Sequence, residues 1–148
     1  MNPDIYLTAL YAEDIRQEVE SRTSVIGIYG RSIPVSGNGP FVLGKLAVLA
    51  TLRVPRTAAF DDITARVKLD ETVLIELPPM RKKLISEIVQ QIKDEQFFDI
   101  TVNIQQTTLT VPALGVLRAE FRMGDQTYTD QIGRRLVRGT VPTVTPVG

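Results

Sequence analysis

One stretch of the chain alternates cleanly between apolar and polar side chains. Leu117, Ala119, Phe121 and Met123 share one parity, and Arg118, Glu120 and Arg122 take the other. That is the pattern of a strand with one face on a core and one in water. The same period of two runs through Ile63, Ala65, Val67 and Leu69 and resumes at Val73, Ile75 and Leu77 after the polar Asp70-Glu71, predicting an antiparallel hairpin. A second hairpin is predicted from Leu117 to Met123, through Gly124-Asp125, and back along Gln126 to Ile132. Its return arm puts Tyr128 and Ile132 on one side with Asp130 between them.

Other segments are read with the same rule. Ile5 to Ala12 predicts a first strand, and Ser24 to Tyr29 a second. Glu13 to Glu20 fits either one or two helical turns with Ile15 and Val19 inward, or a continued strand with a bulge. Pro34 to Pro40 reads as a loop. Phe41 to Val54 is the long strand, with Val42, Leu46, Val48, Ala50, Leu52 and Val54 in an apolar row interrupted at Gly44. Leu43 and Leu49 on the other parity predict partial cover on both faces. Phe98, Ile100, Val102 and Ile104 form a further strand, and Leu109 and Val111 a weaker one.

Between Pro79 and Phe98 the period changes. Leu84, Ile85, Ile88, Val89 and Ile92 fall on one helical stripe, predicting a helix near 81–93 across an edge or end of the sheets. About 7–9 strands and one inserted helix favour a mainly β, two-layer antiparallel β-sandwich. A doubly wound α/β domain would need several more amphipathic helices. The predicted organisation is a single domain over 1–138 and an uncharged C-terminal arm over 139–148. There Pro142 and Pro146 forbid a helix and break ladder pairing.

Composition narrows the chemistry. A chain of 148 residues suits one packed core. It contains no Cys and no His, which excludes disulfides and thiolate sites and removes the side chain that titrates near neutrality. No catalytic, cofactor or metal residues are assigned, and the expectation is a protein that is not an enzyme. Seventeen basic residues balance seventeen acidic ones, which argues against a dedicated polyanion binder. The early Asp4, with no basic region before an apolar run, is not expected to belong to a classical secretion signal. The longest apolar run, Leu46 to Leu52, falls far short of the roughly 20 residues that span a bilayer, so no membrane insertion is expected.

Two charged groups are candidates for contact. Glu13, Asp14, Glu18 and Glu20 could offer oxygens to calcium, as could Asp61-Asp62 or Asp94, Glu95 and Asp99, but none has the spacing of a calcium loop. Arg118, Arg122, Arg134, Arg135 and Arg138 concentrate positive charge in the C-terminal third. Guanidinium groups bind carboxylate or phosphate in bidentate fashion. Such a face could meet the Glu13–Glu20 segment of another copy. Nucleic acid is the disfavoured partner, because exposed aromatics do not interleave the arginines. Gly27, Gly30, Gly37 and Gly39 lack phosphate-loop spacing, and Tyr6, Tyr11, Tyr29 and Tyr128 suit sheet surfaces without a catalytic role. In the arm, Val141, Pro142, Val144 and Pro146 could dock on a neighbouring subunit.

The N-terminal stretch Tyr11-Ala12-Glu13-Asp14-Ile15-Arg16-Gln17-Glu18, followed by Ser24-Val25-Ile26-Gly27-Ile28-Tyr29-Gly30, resembles a family of small bacterial and phage proteins without an assigned activity. The likeness is strongest over residues 9–30 and extends in part through Phe41–Val54. It implies a compact β-rich domain in a virion or in the bacterial cytoplasm, and it carries over no site residues. The functional expectation is a structural or interaction module, an accessory or capsid-decoration subunit that meets copies of itself or another structural protein. The alternative is a soluble ligand- or calcium-binding domain of the bacterial cytoplasm.

Overall fold

The computed structural model describes residues 3–139. Two sheets, mostly antiparallel, share one hydrophobic core, with one short helix beside them. The first sheet has the order β2-β1-β4-β7, from β1 (Tyr6–Gln17), β2 (Thr23–Ile28), β4 (Phe41–Pro55) and β7 (Phe97–Val111). The second has the order β3-β10-β8-β5-β6, from β3 (Ser32–Val35), β5 (Ile63–Leu69), β6 (Thr72–Glu76), β8 (Val116–Met123) and β10 (Arg134–Arg138). The short β9 (Gln126–Thr129) also pairs with β8. Among the described residues every strand pairing is antiparallel except β3 with β10.

The alternation at β5 and β8 is realised residue for residue. Ile63, Ala65, Val67 and Leu69 are buried, as are Leu117, Ala119, Phe121 and Met123, and the two rows pair from Ile63↔Met123 to Leu69↔Leu117. Each large side chain removed from water there contributes about 1.5–3 kcal/mol before entropy is counted. Leu46, Val48, Ala50, Leu52 and Val54 of β4 supply the facing row.

The long hairpin departs from the predicted row at one end. Phe41 and Leu43 are buried, whereas Val42 is exposed. Inward parity therefore changes between Leu43 and Leu46. The partner strand changes with it, from Ile104 to Leu109 and Val111, beside Thr108 at φ 56°. The register is the same on both sides of the switch, Leu43↔Leu109 and Lys45↔Thr107, with the Gly44–Thr108 step between them skipped, and β7 runs through it as one strand rather than two.

Other differences have local causes. Beyond Ala12 the chain stays extended as β1, because Ile15↔Val25 and Gln17↔Thr23 pair with β2, and Val19 turns outward. Ser32–Val35 is a strand inside the glycine- and proline-rich stretch, and Pro34 is tolerated because β3 is an edge. The helix α1 is shorter than predicted, Lys82–Gln90, and only Ile85 and Val89 of its stripe are buried. Leu84 and Ile88 remain exposed, since the helix seats along one narrow line. In the last hairpin Tyr128 is inward but Ile132 is exposed, and Asp130 is buried instead.

Candidate functional site

The outer face of the second sheet is charged, and its charges are unevenly matched. Glu120, buried at the centre of β8, contacts the guanidinium of Arg66 on β5 and lies 3.6 Å from Nζ of Lys68. Arg66 also approaches Glu76 at 3.8 Å, and Lys68 approaches Glu71 at 3.5 Å. One carboxylate thus serves both cations of β5. Arg118, directly opposite Lys68 in the register, is left without one among the described residues.

Arg118 instead lines a cleft of about 470 Å³ with Arg135 of β10 and Arg31, the residue before β3. Ser32, Val116, Ile132 and Gly133 complete the wall, and among the described residues no carboxylate lines it. Among the described residues, none of these three guanidinium groups has an ion-pair partner. Their spacing follows from the topology: β10 lies between β3 and β8, so that Arg135 faces Ser32 on one side and Val116 on the other.

The cleft wall is held from beneath. Asp130 accepts backbone hydrogen bonds from Ile132 at 3.2 Å and Gly133 at 3.1 Å. Its Oδ2 also accepts the Tyr11 hydroxyl at 2.8 Å, and that hydroxyl in turn accepts the Ala119 amide at 2.9 Å. Burial, and next the Asp130 charge, push the Tyr11 phenol well above its usual range, so it stays a donor. Gly133 sits at φ 66°, and a Cβ there would lie 2.6 Å from the Leu117 carbonyl oxygen. Only glycine lets the turn approach β8 this closely.

The predicted arginines separate. Arg118 and Arg135 come together in the cleft. Arg122 lies farther along β8, on a cleft it shares with Asp61, Asp62 and Glu76. Arg134 and Arg138 turn toward the first sheet, their guanidinium carbons 4.9 Å from the Tyr11 ring centre and 5.6 Å from that of Phe41. Arg31 was not singled out from the sequence; the strand it precedes was hidden in an apparent loop.

Glu13, Asp14 and Glu18 belong to the β1–β2 hairpin of the other sheet. Asp14 pairs with Arg16 at 2.7 Å and Glu20 with Arg22 at 3.3 Å. Glu13 lies against Gly27, and after burial its charge raises the Tyr29 phenol. Among the described residues, no three acidic groups converge as they would around a cation. Val141, Pro142, Val144 and Pro146 lie outside the described residues. No described helix is long and apolar enough to cross a membrane.

No family model, curated protein or solved structure matches this chain. The cleft therefore stands on its own chemistry. Its guanidinium groups present fixed forks of N–H donors, which hold an oxyanion well.

Proposed function

We propose that this chain is a non-enzymatic structural module, a two-layer β-sandwich that assembles with further copies of itself as an accessory subunit of a larger complex. The observation that supports this most directly is the unmatched positive charge of Arg31, Arg118 and Arg135 beside a centre whose cations are already paired. Uncompensated arginine on a rigid sheet suits recognition of an acidic protein surface, where it sets orientation and association rate. A phage virion as the setting rests on the N-terminal resemblance alone, and the bacterial cytoplasm is the other setting compatible with it.

Sedimentation velocity over a concentration series tests the proposal. Species larger than the monomer are expected at low ionic strength and should recede as salt screens the charges. A monomer at every concentration and salt level would count against assembly.

A further inference from the structure

The β1–β2 hairpin has features of an intermolecular arm. Pairing of β1 with β4 stops at Ala12↔Ala47, whereas pairing with β2 runs on from Ala12↔Ile28 to Gln17↔Thr23. Past Ala12 the ribbon therefore has two strands only, fastened by the buried Ile15 and by a 2.6 Å hydrogen bond from Gln105 to the Ile15 carbonyl. Two-stranded ribbons are marginal in water by themselves. Its tip carries Val19, 75% exposed, between Glu18 and Glu20. Glu20 and Ser21 both hold positive φ, 61° and 58°. Between Glu13 and Arg22 the arm has four carboxylates against two arginines. The exposed pairs Asp14–Arg16 and Glu20–Arg22 are of a kind that contributes little and exchanges readily.

The cleft has the opposite character. It offers three guanidinium groups without an ion-pair partner among the described residues and an apolar wall of Val116 and Ile132, the latter 73% exposed. We infer that the hairpin tip of one copy seats in the arginine cleft of the next. Glu18 and Glu20 meet the guanidinium groups, and Val19 packs on Ile132. This rests on the self-assembly proposed above and adds its contact. The occupant is a second copy because the tip extends about 20 Å beyond Ile28, while Arg31 follows Ile28 at the opposite end of the hairpin. An arm would have to fold back along itself to reach its own cleft. Arm and cleft are different surfaces, so the contact is head-to-tail and builds a ring or an open row.

A charge exchange tests this. Glu18→Lys/Glu20→Lys and Arg118→Glu/Arg135→Glu should each weaken self-association about tenfold or more, with circular dichroism and melting unchanged. Mixing the two variants should restore it, because the basic arm then fits the acidic cleft and the native arm fits the native cleft. The chain lacks cysteine, so Val19→Cys protein mixed with Ile132→Cys protein should give a disulfide heterodimer under oxidation that neither gives alone at comparable yield. Persistent association in both charge variants, with no heterodimer, would overturn the contact and leave assembly by another surface. A monomeric wild type would remove both proposals. A non-associating protein whose cleft binds inorganic phosphate in calorimetry, with loss on Arg118→Glu/Arg135→Glu, would identify a small-anion site instead.

Discussion

The Tyr11 hydroxyl donates a 2.8 Å hydrogen bond to Oδ2 of Asp130, 119 residues away along the chain. It fastens the first sheet to the turn that walls the arginine cleft in the second. Both partners are buried, so removing the hydroxyl leaves an acidic oxygen and the Ala119 amide each short of a partner.

Tyr11→Phe should therefore cost about 2 kcal/mol in urea unfolding, with an unchanged denaturant slope. The phenol is raised in the fold, first by burial and then by Asp130. Its contribution is complete below the unfolded value near 10 and is lost as pH rises toward the higher folded value. The gap between wild type and variant should narrow in strongly alkaline buffer.

Glu120 is the shared carboxylate of Arg66 and Lys68 and is only 5% exposed. Glu120→Gln keeps its shape but leaves the two partly buried cations with only the more exposed Glu76 and Glu71, at 3.8 and 3.5 Å. A loss of about 3 kcal/mol is expected, read from the urea midpoint. The compensating double variant Glu120→Gln/Arg66→Gln should recover part of it.

Gly133→Ala places a methyl group 2.6 Å from the Leu117 carbonyl oxygen at a backbone angle that L residues disfavour. Destabilisation of about 2 kcal/mol is expected. Cross-linking between Val19→Cys and Ile132→Cys copies should fall as well, because Ile132 belongs to the displaced turn.

Asp62 accepts the Lys82 amide at 2.7 Å and the Arg81 guanidinium at 2.9 Å, capping α1 from a distant loop. These contacts, the amide foremost, hold its carboxyl below the usual range. The stability they confer is present above the ordinary aspartate value and lost as pH falls through the lower folded one. Asp62→Ala should lower the melting temperature at neutral pH, and the difference should shrink in acid.

Strands with one wet face were legible because each residue declares its side. β5 alternates throughout and β8 does so from Leu117 to Met123, and their hairpins close through short turns. Where both parities are apolar the rule loses its grip. At Val42 and Leu43 the sequence is silent about which is inward, and the exchange near Thr108 decides it. The helical stripe was similarly overfull, with five apolar residues where the fold offers room mainly for Ile85 and Val89. The cleft was legible only in part. Arg118 and Arg135 stood out by charge, but their union with Arg31 depends on the parallel pairing of β3 and β10, segments about a hundred residues apart. No local pattern encodes that pairing, nor the meeting of Tyr11 with Asp130.

The placement of β10 also bears on how the chain matures on the ribosome. Its neighbours are β3, near the start, and β8, near the end, and among the described residues β3 has no other neighbour within its sheet. Residues 32–35 must wait, unpaired, until residue 138 has left the exit tunnel. During that interval the nascent chain exposes an apolar edge at Ile33 and Val35, and slow translation or low chaperone supply should show first as aggregation of fragments ending before residue 134.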